Sequence, residues 1–133
     1  MGSSPDWIVK HDDVFYAGSV SHDLYFQVYS IADWMIHLAW LDHCPNVVVE
    51  ALSQDCPVIC TNSGGTGEIV GSNGIVISET TPYEFELTDY DEPYRLEIPS
   101  LELPNLSIDN SYLDIKEVAQ KYISVVSGDT SWA

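Results

Sequence analysis

An α/β fold, a parallel sheet with flanking helices, is what this sequence predicts, and three observations predict it. Short apolar runs alternate with segments of helical period over residues 12–77. The runs end at glycine, aspartate or proline, residues that stop a strand or open a helix. An apolar content of 45% over 133 residues supplies one real core, and the length excludes two full α/β domains.

The elements follow in order. Val14-Phe15-Tyr16-Ala17, closed by Gly18, is predicted as a first buried strand. Ser21 is placed to cap a helix, with Asp23 in its first turn, and Leu24, Val28, Ile31 and Ala32 recur at helical spacing. That predicts a helix over 22–32 with this face buried. Trp34 to Leu41 is the next apolar run, a second buried strand that ends at Asp42.

Pro45 can open a helix, because the N–H it lacks would be an orphan there anyway. Val47-Val48-Val49 favours strand, but Glu50-Ala51-Leu52-Ser53-Gln54 continues the helical period, so 46–54 is predicted helical. Asp55 takes its left-handed stop. Pro57 to Cys60 is a third strand, followed by the glycine-rich Gly64-Gly65-Thr66-Gly67, a short helix around Glu68, and a fourth strand over Gly74-Ile75-Val76-Ile77.

Strands alternating with helices in this way give a Rossmann-like parallel sheet with right-handed crossovers. Ligands of such sheets bind at the carboxyl ends of the strands. Asp42 and Gly64-Gly65 both stand just past strand ends and are expected on one rim.

Residues 78–111 are rich in Pro, Glu, Asp and Tyr and carry no helical period. Alternation in Tyr83-Phe85-Leu87 and Tyr94-Leu96-Ile98 allows a short hairpin. Ile115, Val118, Ala119, Tyr122, Ile123 and Val126 trace an amphipathic helix over 114–126. The chain therefore divides into a disordered or artificially appended 1–11, a ligand-binding segment 12–77, and an acidic extension 78–133 ending in that helix.

Charge narrows the choice of partner. Twenty-one acidic residues against 4 basic ones give −17, a surface that repels nucleic acid and anionic lipid. Lys10, Arg95, Lys116 and Lys121 are the whole basic complement, so nothing between Lys10 and Arg95 can meet an anion with a lysine or arginine. Cys44, Cys56 and Cys60 form no even framework and point to a reducing, cytoplasmic setting. With His43 they fit no standard zinc spacing. No apolar run approaches the roughly 20 residues a membrane helix needs.

Asp42 and Glu50 stand eight positions apart, the second in the first turns of a helix, and a glycine loop follows the next strand. Carboxylates accept from hydroxyls, a helix N-terminus favours phosphate, and glycines permit close backbone approach. Taken singly, each residue has a plainer use. Glu50 and Glu68 suit helix N-termini, Asp42 suits a loop or cap, Gly64, Gly65 and Gly67 suit a tight turn, and His37 suits a core. His43, beside Asp42, is the more functional of the two histidines. Only the ordered combination points to a site.

That combination resembles the donor-binding, C-terminal domain of retaining glycosyltransferases of the large group 1 family, which have the two-domain GT-B fold. Gly18, the Ser21 helix, Asp33, the Asp42–Glu50 pair, Glu50-Ala51-Leu52, Pro57-Val58-Ile59, Gly64-Gly65, Glu68-Ile69-Val70 and Gly74-Ile75-Val76 carry the resemblance, over about residues 12–77. It implies sugar transfer from a nucleoside diphosphate sugar, UDP- or GDP-linked, with no cofactor or metal. It also implies that Glu50 accepts from the ribose hydroxyls. Asp42 lies near the donor sugar as the candidate catalytic carboxylate, although the family has glutamate there. Pro45, Asn46, Val47, Gly64 and Gly65 line the donor site. The arginine and lysine that hold the diphosphate in the family have no counterpart here, and its acceptor-binding domain is not matched. The resemblance thus implies a segment completed by an N-terminal domain or partner subunit. The alternative is a non-catalytic acidic interaction module derived from a transferase.

Overall fold

A computed structural model describes residues 11–39, 42–78 and 98–128. Its elements are α1 (His22–Tyr29), β1 (Met35–His37), α2 (Asn46–Ser53), β2 (Val58–Thr61), α3 (Thr66–Val70), β3 (Gly74–Ile77), a 3₁₀ turn (Ser111–Leu113) and α4 (Ile115–Val126). The strands form one parallel sheet in the order β1-β2-β3, with Ile36 opposite Ile59 and Ile59 opposite Ile75. Parallel neighbours need a crossover each, and α2 and α3 supply them. The α/β, Rossmann-like prediction holds.

Burial concentrates around α2 and β2. Val48, Ala51 and Leu52 bury one face of α2 completely against Val58 and Cys60 of β2, with Cys56, Val70 and Tyr29 closing the cluster. Each such aliphatic side chain contributes about 1.5–3 kcal/mol when buried. That is enough to hold Val47-Val48-Val49 helical against their strand preference. Asp55 stops the helix at φ 59°, as expected.

The segment before the 3₁₀ turn closes the amino ends of the strands. The buried Asn73 amide donates to the Asp109 carbonyl at 2.8 Å, and the Asp109 N–H donates back to Asn73 Oδ1 at 2.8 Å. Asn110 Nδ2 donates to the Leu52 carbonyl, and the Tyr112 hydroxyl to that of Ile69. The Ser111 hydroxyl and N–H both donate to the Asp109 carboxylate and hold it below the usual carboxylate range.

Three expectations need correction. Val14–Ala17 forms no strand; Phe15 is 90% exposed, Val14 N–H closes a turn onto the His11 carbonyl, and Gly18 bends the chain at φ 68°. An apolar run becomes a strand only by pairing, and this one turns away instead. The helix expected over 22–32 ends at Tyr29, and Tyr29 is its buried residue, while Leu24, Val28 and Ile31 are exposed. The strand expected over Trp34–Leu41 is three residues long, with Ile36 exposed; residues 40 and 41 lie outside the described residues. The hairpin expected within 83–98 falls almost wholly outside them too. Helix α4 forms over Ile115–Val126, with the Asp114 carboxylate accepting from Lys116 N–H at 2.8 Å, yet none of its residues is buried.

Candidate functional site

The carboxyl ends of β1 and β2 meet through two loops. After β1 the chain reaches Asp42 and His43; after β2 it reaches Gly64 and Gly65. Asp42 and Gly64 form a parallel bridge, and Gly65 N–H donates to the Asp42 carbonyl at 3.0 Å. The buried Thr66 hydroxyl reaches the same carbonyl at 3.4 Å, and the buried Thr61 hydroxyl donates to the Ala39 carbonyl at 3.0 Å. The expectation that Asp42 and the glycines share a rim therefore holds.

The glycines are accounted for by this stitching. A Cβ on Gly64 would stand 2.3 Å from the Asp42 carbonyl oxygen, and one on Gly65 would stand 2.2 Å from that of His43. No side chain fits between main chains so close. Gly67 is different: a Cβ there would meet only side-chain atoms, at 3.5 Å or more.

Helix α2 begins at the same rim. Pro45 is its N-cap and offers no side-chain cap, and the first turn contains no acidic residue. The leading N–H groups of a helix have no intrahelical partner and carry partial positive charge. Pro45 itself is buried, whereas Asn46 and Val47 are exposed.

The two carboxylates have different surroundings. Asp42 Oδ1 accepts from Cys44 N–H at 3.3 Å, and its Oδ2 lies 3.3 Å from His37 Nε2. Glu50 is half-buried on the flank of α2 that faces α1, with Oε1 3.4 Å from His22 Nε2. Tyr29 lies under that flank, and burial, then the Glu50 charge, raises its phenol above the ordinary range. His37, read from sequence as a core residue, is the histidine beside Asp42. His43 is exposed and meets Gly65 through its main chain. The signal that separates them is strand position: His37 closes β1 at its carboxyl end.

Two of the three thiols, Cys56 and Cys60, lie in the core rather than at this rim. Burial raises Cys56 and Cys60 above the usual thiol range, and both are free, as is the exposed Cys44. Among the described residues no three His, Cys, Asp or Glu side chains gather as a metal-binding group, and no helix is long and apolar enough to cross a membrane. An open cleft of about 490 Å³ runs between Asp33, Trp34, Asp55 and Leu103–Leu106. It lies at the amino ends of the strands, the end opposite the glycine loop.

The family model of group 1 glycosyl transferases matches residues 10–86, a span that contains the whole sheet and both loops of the rim. No match was found among curated proteins or solved structures.

Proposed function

Because the chain belongs to the group 1 glycosyl transferases, we propose that its carboxyl-end rim holds a nucleoside diphosphate sugar, UDP- or GDP-linked, for retaining transfer to an acceptor. The observation that carries the reading is the stitched pair of loops. Asp42 and Gly64-Gly65 are fixed on one another beside the uncapped start of α2.

In this reading Glu50 accepts from the ribose hydroxyls, since an ionised carboxylate can take both hydroxyls of a vicinal diol. Asp42 faces the donor sugar. The N–H groups of Asn46 and Val47 and the backbone of the glycine loop receive phosphate oxygens, as helix N-termini do. Catalysis is then positioning and stabilisation of an oxocarbenium-like state. The reading calls for no metal ion. Residues 11–78 contain no lysine or arginine, so any side-chain cation that meets the diphosphate comes from outside that span.

That same lack of cations favours a second reading, an acidic interaction module that has lost transfer and binds a basic partner. Calorimetric titration with UDP- and GDP-sugars separates the two. Saturable heat with one donor, weakened about 10- to 100-fold by Glu50→Ala, is the expected result, the size of a lost charge-assisted hydrogen bond or two. Affinity indifferent to that substitution defeats the ribose assignment, and no heat with either donor favours the module.

A further inference from the structure

We propose that His37 is a positioning residue for Asp42, orienting its carboxylate at the rim through Nε2; the inference rests on the donor-site reading of Asp42 given above. His37 is the last residue of β1, and its side chain is only 15% exposed. Its Nε2 atom is fully enclosed and has no hydrogen-bond partner of good geometry among the described residues. The charged atom it faces is Asp42 Oδ2, at 3.3 Å. The contact is within ion-pair reach but off the hydrogen-bond axis.

A buried nitrogen left in that condition has given up its water without a replacement partner, which is unfavourable. The Asp42 side chain is 36% exposed and so has room to turn. With the His37 proton on Nε2, a small rotation of the carboxylate lets Nε2–H donate to Oδ2. Oδ1 already accepts from Cys44 N–H at 3.3 Å, so both oxygens are then held.

The rest of Asp42 is fixed independently. Its carbonyl accepts from Gly65 N–H at 3.0 Å and from the Thr66 hydroxyl at 3.4 Å, and Gly64 lies flush against its main chain. What these bonds leave free is the carboxylate torsion, and His37 removes that freedom. A group preset in this way avoids the cost of ordering itself when the ligand arrives. The other histidine–carboxylate pairs among the described residues lack the same leverage: His22, 3.4 Å from Glu50, is 68% exposed, and His11, 3.5 Å from Asp13, is 61% exposed.

Two readouts on the full chain test the proposal. In imidazole ¹H–¹⁵N spectra, His37 is expected as the Nε2–H tautomer. Asp42→Asn should shift its Nε2 signal while leaving those of His11 and His22 in place. In titrations with UDP- and GDP-sugars, His37→Leu is expected to weaken donor binding about tenfold, and His37→Gln, whose amide nitrogen can stand near Nε2, by less than about threefold. The double variant His37→Leu/Asp42→Asn should bind no more weakly than Asp42→Asn alone. Backbone amide spectra establish that each variant is folded. Equal losses in the Leu and Gln variants, additive losses in the double variant, or a His37 signal indifferent to Asp42→Asn each overturn the assignment. Should the unmodified chain bind neither donor, the donor-site reading fails, and the imidazole spectra alone then uphold or overturn the pairing.

Discussion

The α2–β2 half of the molecule and the α1–α4 periphery both repeat apolar residues at element spacing and use them differently. In α2, Val48, Ala51 and Leu52 are wholly buried, and β2 is buried along its full length. In α4, Ile115, Tyr122, Ile123 and Val126 repeat at helical spacing just as clearly, and Val126 is 87% exposed. Leu24, Val28 and Ile31, on and just beyond α1, behave like α4. The difference teaches that periodicity sets which element forms, whereas burial requires a second surface facing it.

The largest expected effect sharpens that contrast directly. Leu52→Ala leaves a cavity between α2 and β2 and should lower unfolding free energy by about 2–5 kcal/mol. Ile31→Ala and Val126→Ala remove comparable apolar surface from exposed positions and should change it by less than about 0.5 kcal/mol. Urea denaturation followed by far-ultraviolet circular dichroism measures all three. A cost at Ile31 or Val126 approaching that at Leu52 would break the comparison, because it would mean that the periphery is covered in solution.

A smaller effect is expected where the two loops of the rim meet. Gly64→Ala and Gly65→Ala each set a Cβ within 2.3 Å or less of a main-chain oxygen, so the loops must separate. Gly64 also stands at φ 74°, where an alanine is strained. Each substitution should cost about 1–3 kcal/mol. Gly67→Ala, with only Val76 and Asn62 side-chain atoms nearby, should stay within about 0.5 kcal/mol. Thermal melts of the three variants check the order. If Gly67→Ala is as damaging as the other two, the glycine loop is not held by its contact with Asp42 and His43.

Much of the buried half was legible in the sequence. Pro45, the run from Val48 to Leu52, Asp55 and the Pro57–Cys60 run place α2 and β2 to within a residue, because pattern, cap and stop agree there. The shared rim of Asp42 and Gly64-Gly65 also followed, since both stand just past strands that turned out to be neighbours. Val14–Ala17 departs from its pattern because an apolar run does not announce whether a partner edge is present. The approach of His37 to Asp42 is not legible for a related reason: strand and alternation place the residue, but its 3.3 Å distance to Asp42 depends on how the loop after β1 folds back. The bonds from Asn73 to Asp109, 36 positions apart, left no local signal at all.

The smallest expected effect uses the thiols and Tyr29 to report on the same boundary from the alkaline side. Burial raises Cys56 and Cys60 above the thiol value of 9.0, and burial followed by the Glu50 charge raises Tyr29 above 10.0. Each group is an acid whose folded pKa exceeds its unfolded one. The stabilisation this gives is fully present below the unfolded value and is lost as pH rises through the folded value. The melting temperature should therefore begin to fall above about pH 9, set by the cysteines, and fall further above pH 10 as Tyr29 joins. Below pH 9 the exposed Cys44 should react with a thiol reagent at once, while Cys56 and Cys60 wait for unfolding. Replacing both buried cysteines with alanine should remove the first part of the alkaline loss and leave the Tyr29 part. A decline unchanged by that substitution would place the titrating group outside the α2–β2 core, and a prompt reaction of all three thiols would show that this core opens as readily as the periphery.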